Sequence, residues 1–495
     1  MLVVGGGITG AGIARDAAMR GLRTALIERG DFASGTSSRS SKLIHGGLRY
    51  LEQGEVGLVL EAAQERRTLR RIAPHLAVGA RMALPVFGRT SAGLMKLRAG
   101  LWAYEKMARI DADERHEIWR RGETLDHVPG LDTANLQGAA VYTEYVTDDA
   151  RLTLETVKSA KRAGALVASY APAISIAEAP GGATTDGTAR SNRRALRVTV
   201  NDELGGRELV VEARVVVNAA GPWVDSVRRL GGDVAPRMHL TKGIHLVVAR
   251  ERLAVDDIVV MRAVDRRMVF VVPYGDIVWI GTTDTDYPRA VERPSITRED
   301  VDYLLEATNR TWPGARIVDA DVRGAWAGVR PLLHQEGKKP SEISRRDEIL
   351  IEPNGLLSIA GGKLTTYRRM AERVVDAVVE RLGTGAAQPC RTAQVPLVED
   401  EAPVPIVRTT LSDAEIAYAV EEECALSVCD VLERRARANL FAPGNGVADA
   451  ERVAAILGRR LGWDERRQAA EVEHYRVRVA EDVAWRDQER AGQRA

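Results

Sequence analysis

The sixteen residues from Thr36 to Leu51, TSSRSSKLIHGGLRYL, hold five aliphatic hydroxyls, two arginines, a lysine, a histidine, a tyrosine and a Gly-Gly pair. That is too polar for a core and too rich in donors and titratable groups for an ordinary linker. A second chemical signature precedes it. Gly5-Gly6-Gly7-Ile8-Thr9-Gly10 has the spacing G-x-G-x-x-G, which lets bare backbone approach a pyrophosphate seated on the next helix N-terminus. Glu28 follows Gly10 by eighteen residues, at the end of the next apolar run, where a ribose-binding carboxylate belongs; Arg29 stands beside it. NAD and FAD share such a loop. Two later glycine segments favour a flavin: Asn218–Trp223 (NAAGPW, with Gly221) and Gly361–Thr366 (GGKLTT). The latter sets Gly361, Gly362, Lys363, Leu364 and Thr365 at a strand-to-helix junction. The partial positive charge of that helix start would favour the negative N1–C2=O edge of a reduced flavin.

These residues need a frame. Leu2–Val4, the glycine turn, a small-residue helix over Ala11–Arg20 and a strand over Leu22–Glu28 compose a βαβ start. So few apolar residues precede Gly5 that this strand is expected to begin further upstream. Helices are predicted over Gly54–Arg71, Arg151–Gly164 and Thr365–Leu382, with Arg66–Arg71 as a solvated face. Strands are predicted over Ala165–Ser169, Leu209–Val217, Ile244–Val248, Met268–Val272, Ile277–Gly281 and Leu356–Ala360. Turn residues between Met268–Val272 and Ile277–Gly281 predict an antiparallel sheet. Pro180–Arg194 reads as a hairpin or mobile loop, Val398–Val407 (VEDEAPVPIV) as a linker, and Ser412–Trp485 as mostly helical.

The chain's 495 residues allow two or three domains. A net charge of +1 without a basic stripe argues against nucleic acid as a partner. Cys390, Cys424 and Cys429 lack metal-ligand spacing, so no metal is expected, and an odd thiol number suits a reducing cytoplasm. No run approaches the roughly 20 apolar residues of a membrane span, and MLVV is too short for a signal peptide.

Asp31–Glu52 (DFASGTSSRSSKLIHGGLRYLE) resembles the flavin loop of the FAD-dependent, quinone-linked glycerol-3-phosphate dehydrogenase family. So do Asn218–Asp225 (NAAGPWVD), Ile280–Tyr287 (IGTTDTDY), Ala327–Leu332 (AGVRPL) and Gly361–Arg368 (GGKLTTYR) resemble that family's later motifs. The resemblance covers nearly the whole chain. It implies an α/β fold: a Rossmann-like FAD-binding domain (1–70, 140–235 and 325–385) interleaved with an antiparallel-sheet substrate domain (71–139 and 236–324), then a C-terminal all-α cap domain (396–495). It further implies that Gly5, Gly7, Ile8, Thr9, Gly10, Glu28, Arg29, Thr36, Ser37, Ser40, Ser41, Lys42, Leu43 and His45 hold FAD, with Gly221 and Gly361 to Thr365. His45, Arg330 and Lys363 are the implied catalytic residues, His45 or Arg330 handling the C2 hydroxyl proton. Arg49, Tyr50, Arg330, Arg346 and Lys363 are implied substrate ligands, since arginine forks suit phosphate. Lys242 would line the site or sit exposed at a strand end, and Thr283 and Asp284 would close the pocket or form a polar turn.

The implied reaction takes sn-glycerol 3-phosphate to dihydroxyacetone phosphate, with hydride passing to flavin N5 and electrons to a quinone. The alternative is an oxidase that delivers them to oxygen and forms peroxide. Gly93–Ile110 (GLMKLRAGLWAYEKMARI) interleaves apolar side chains with Lys96, Arg98, Lys106 and Arg109. It reads either as a membrane-interface helix or as a core-facing helix with a basic outer face. Peripheral contact with the inner face of the cytoplasmic membrane is expected, as is possible homodimer formation.

Overall fold

Leu2, Val3 and Val4 have no polar atom to lose and are buried between two parallel partners, Ala25–Ile27 and Val216–Asn218. The computed structural model describes residues 1–47, 54–180, 195–289, 291–335, 346–383, 387–398 and 410–488. Its first sheet has six strands in the order 347–351, 357–361, 216–218, 2–4, 25–27, 166–168, all parallel except the terminal hairpin. Alternation sends Val3 and Leu26 to one face and Leu2, Val4 and Ile27 to the other. On the first face, helix Ile8–Met19 packs against Asp149–Arg162 and Tyr367–Leu382. Ala11, Ala14, Ala17 and Ala18 keep those axes close, and a Cβ on Gly12 would come within 3.0 Å of the Tyr367 ring. The second face carries a three-stranded antiparallel sheet of Ala173–Glu178, Leu196–Asp202 and Arg207–Ala213.

That arrangement corrects the single strand expected over Leu209–Val217. Its first half lies in the three-stranded sheet, where Val210 is 59% exposed, and its second half, Val216–Asn218, is a buried strand of the six-stranded sheet. Valine fills both halves, so apolar content carries no boundary between them.

The larger sheet has ten strands, built around the long pair Met238–Ala249 and Val322–Leu333. It is antiparallel except where Ile258–Arg262 runs parallel to Val78–Phe87. Three of its strands extend beyond residues 71–139 and 236–324: Leu43–Ile44, Leu136–Val146 and Val322–Leu333. One face packs Ile244, Leu246, Val248, Val271 and Ile280 against Leu304 and Leu305 of helix Arg298–Thr311. The other face turns toward the six-stranded sheet and floors a large cavity.

After residue 410 the chain is helical, with Asp413–Glu421, Ala450–Leu461 and Glu465–Val483 closing over Val428, Leu432, Leu457 and Tyr475. Two expected irregular segments, 180–194 and the linker's 399–407, lie almost wholly outside the described residues. Among the described residues no helix is long and apolar enough to cross a membrane.

Candidate active site

Gly5 turns the chain at φ +112°, and a Cβ on Gly10 would lie 1.9 Å from the Gly5 carbonyl oxygen. The first helix therefore starts hard against the first strand, its N-terminal amides facing the cavity at Gly7, Ile8 and Thr9. Ser37 Oγ accepts the Ile8 N–H at 2.9 Å and ties the hydroxyl-rich loop to this helix start. Glu28 accepts the N–H of Gly6 at 2.6 Å and of Gly30 at 2.9 Å. Burial raises its pKa, against the lowering effect of those two amides. Arg29 reaches across the rim to Glu292 and lies 5.1 Å over the Trp223 ring.

The Thr36–Leu43 loop is anchored from several sides. Thr36 Oγ1 donates to Val329 O at 2.6 Å, and the indole N–H groups of Trp326 and Trp279 donate to Ser40 O and Ser41 O. Asp149, fully buried, accepts from the Ser40 amide and hydroxyl and from Lys42 Nζ at 2.8 Å. Lys42 therefore points behind the loop, toward Asp149 and the Trp326 face, and does not line the cavity as expected. Burial and the nearby Arg437 lower its pKa to about 8, against the pull of Asp149.

Register on Met238–Ala249 sorts the residues at the other end. Thr241, Gly243 and His245 pair with Arg330, Gly328 and Trp326 and share the cavity-facing side. Lys242, one residue out of phase, points to the helix-covered side and is buried against Asp300 at 2.5 Å, so it is neither a site residue nor an exposed strand end. Arg330 donates to Asp284 Oδ1 at 3.1 Å, Thr282 Oγ1 at 2.9 Å and Thr283 O at 3.1 Å. His245 stacks on Trp326 at 4.5 Å and bonds Ser41 Oγ through Nε2 at 2.9 Å. Burial, then Arg330 and Lys42, hold its pKa well below the usual 6.5, so this imidazole is neutral. His45 also lines the cavity: its N–H and C=O both bond Thr365 Oγ1 at 3.2 Å, and its ring lies 6.2 Å from Phe270. Lys363 lines the cavity just before the 3₁₀ turn Leu364–Thr366 that opens helix Tyr367–Leu382.

Behind the His45-Gly46-Gly47 turn, Glu144 accepts the Gly46 N–H at 3.0 and 3.1 Å and pairs with Arg66 at 3.2 Å. Burial raises the Glu144 pKa despite Arg66 and the Gly46 amide. Arg66 itself is buried between Glu144 and Glu114, which corrects the expectation of a solvated arginine face at this position. Neither Glu144 nor His245 carries a motif signal; only the strand registers reveal that they face the cavity. Arg346 stands off the cavity wall, 66% exposed and paired with Glu55 at 2.6 Å. Arg49 and Tyr50 lie outside the described residues.

Apart from Gly10 and Thr283, the remaining expected site residues line one cavity of about 2450 Å³. Ligand pockets usually span about 300–1,000 Å³, so this one has room for an extended dinucleotide and further ligands. The lining also includes Met82, Leu84, Val260 and Phe270, which pack in one apolar cluster, and Leu97 and Leu101, with Lys96, Arg262 and Arg267 among them. Among the described residues no His, Cys, Asp or Glu group is arranged to hold a metal.

Residues 1–368 match the FAD dependent oxidoreductase family, and residues 358–468 match the C-terminal domain of alpha-glycerophosphate oxidase. The aerobic glycerol-3-phosphate dehydrogenase of Staphylococcus aureus (strain MRSA252) is 42% identical over 386 residues, which is 77% of this chain and 67% of that protein. The chain belongs to the FAD-dependent glycerol-3-phosphate dehydrogenase family. Of solved structures, the glycerol-3-phosphate dehydrogenase of Bacillus halodurans complexed with FAD superposes at TM-score 0.77 and 31% identity, over 99% of this chain and 96% of that one. L-alpha-glycerophosphate oxidase of Mycoplasma pneumoniae shares the fold alone, at TM-score 0.58 and 16% identity over 81% and 98% of the two chains.

FAD is the cofactor of this dehydrogenase family, and the cradle fits it. Gly5 and Gly7 line the cavity without a Cβ, a 12-residue helix begins there, and the Glu28 carboxylate stands at the end of the adjacent strand. Gly10 contributes by admitting the helix rather than by lining the cavity.

Proposed function

We propose that the protein oxidises sn-glycerol 3-phosphate to dihydroxyacetone phosphate and passes the electrons to a membrane quinone. The observation that carries this reading is the Arg330 guanidinium fixed on the cavity wall beside His245, with Lys363 and His45 lining the same space. Bound FAD supplies the hydride acceptor at N5. Every other task falls to side chains. Arg330 and Lys363 present cationic donors to the phosphate and to the oxygen that becomes the ketone. A guanidinium keeps its proton, so Arg330 acts by charge and His45 takes the C2 hydroxyl proton. His245 is unsuited to that role, because an imidazole held so far below its usual range cannot retain a proton. Arg49 and Tyr50 complete the proposed substrate ligands. Arg346 is left out, since its partner is Glu55 on the exterior.

The choice of quinone rests on the apolar residues in the cavity lining and on helix Ala92–Ala108, which contributes Leu97 and Leu101 to it. Leu101 and Tyr104 of that helix are buried, whereas Met95 is 69% and Trp102 58% exposed, with Lys96 and Lys106 beside them. One side thus seats in the fold and the other has the make-up of a membrane-interface surface. The test uses holoprotein and sn-glycerol 3-phosphate, with either a soluble quinone analogue or air as acceptor. Rapid reduction of the analogue with little peroxide is expected, together with flotation on anionic liposomes at low salt. Stoichiometric peroxide at a comparable rate would assign oxygen as the acceptor and overturn the reading.

A further inference from the structure

We propose that Arg437, from the C-terminal helical domain, is a positioning residue for the FAD-holding loop. It acts through Asp149 and the Ser38 carbonyl and makes the helical domain part of the cofactor machinery. The inference rests on FAD occupying the cavity, and it extends to a domain whose own core lies apart from that cavity's floor.

The geometry is a buried three-charge node. Arg437 Nη2 donates to Ser38 O at 2.7 Å and to Asp149 Oδ1 at 3.0 Å. Lys42 Nζ donates to the same two oxygens, at 3.1 and 2.8 Å. The other Asp149 oxygen takes the Ser40 amide and hydroxyl. Arg437, Lys42 and Asp149 are each at most 1% exposed. A single carboxylate thus fixes the loop at Ser40 and Lys42, and Arg437 supplies the second cation that keeps that carboxylate oriented. The chain enters this position through a left-handed residue, Arg437 at φ +59°, between the turn Asp430–Arg435 and the short helix Ala438–Phe441. Phe441 of that helix packs beside Trp279 and Trp326, the two indoles that hold Ser40 O and Ser41 O. Segment 430–441 therefore buttresses the back of the loop while the loop's front faces FAD.

Buried ion pairs add little net stability over an apolar filling, but removing one partner strands the others and frees whatever they orient. The loss should therefore appear in cofactor affinity. The experiment reconstitutes apoprotein with FAD and reads the dissociation constant from flavin fluorescence, alongside the thermal midpoint, for Arg437→Met, Arg437→Lys and Tyr475→Phe. Tyr475→Phe removes a hydrogen bond to Asn445 O inside the helical domain and leaves the loop untouched. Arg437→Met is expected to weaken FAD by at least roughly tenfold, with Arg437→Lys restoring most of the affinity. Tyr475→Phe is expected to lower the midpoint without changing the constant. Unchanged affinity in Arg437→Met overturns the proposal, as does equal loss in Tyr475→Phe at a matched midpoint. If Arg437→Met does not fold, Arg437→Gln takes its place: weaker FAD binding that Arg437→Lys restores supports the proposal, and natural affinity in Arg437→Gln overturns it. No substrate enters this assay, so its failure is separate from a failure of the proposed reaction.

Discussion

Arg330 meets Asp284, Thr282 and Thr283 in a fixed fork, so its charge is oriented before any substrate arrives. Preorganised donors aimed at developing charge typically contribute about 10²–10³ in rate. Arg330→Ala should therefore cut turnover by roughly that factor while the protein keeps its bound flavin; near-normal turnover would remove Arg330 from the chemistry. His245 yields a pH signature. Its folded pKa lies below the usual 6.5, so the unfolded chain binds the extra proton as pH drops through that value. Stability from this residue is complete above about pH 6.5 and is lost as acid is added. His245→Phe keeps a ring against Trp326 and removes the titration. Its unfolding free energy, read from urea titrations, should fall less than the natural protein's between about pH 7.5 and about pH 5, by up to about 1.4 kcal/mol per pH unit. Parallel declines would show that His245 titrates normally.

Strand and helix junctions bring these residues together, and their signals in the sequence were uneven. The glycine turn at Gly5–Gly10 and the Gly361-Gly362-Lys363 junction were legible because each demands bare backbone, and φ values of +112°, +77° and +86° at Gly5, Gly361 and Gly362 show why. Gly10→Val tests the first junction: with a Cβ already 1.9 Å from Gly5 O, the helix must retreat. Purified Gly10→Val should have a low flavin-to-protein ratio, and full flavin content would refute the assignment. Lys42, Lys242 and Arg66 were misplaced because side-chain direction depends on register and on partners far along the chain. Asp149 lies 107 residues from Lys42, Asp300 lies 58 from Lys242, and Glu144 lies 78 from Arg66. His245 was invisible for the same reason: only its pairing opposite Trp326 sets it on the cavity side.

Across the whole molecule, one cavity touches the six-stranded sheet, the ten-stranded sheet and the helical domain. The last of these is joined to the rest by buried ion pairs. Arg434 and Arg435 both pair with Asp31 of the cofactor sheet's loop, and Arg151 pairs with Glu423. Burial opposes ionisation of Asp31, yet those two guanidinium groups hold its pKa below the ordinary carboxylate value, so the junction is ionised at neutral pH. The cofactor cradle, Arg330, Lys363 and His45 thus line one enclosure. In the proposed reaction glycerol 3-phosphate delivers two electrons to the flavin there. Anaerobic titration of the holoprotein with sn-glycerol 3-phosphate, followed by flavin absorbance, tests it most directly. The oxidised flavin band is expected to bleach as substrate is added, with dihydroxyacetone phosphate formed in equal amount to the flavin reduced. A band that persists in excess substrate, in protein whose flavin dithionite can reduce, would contradict it.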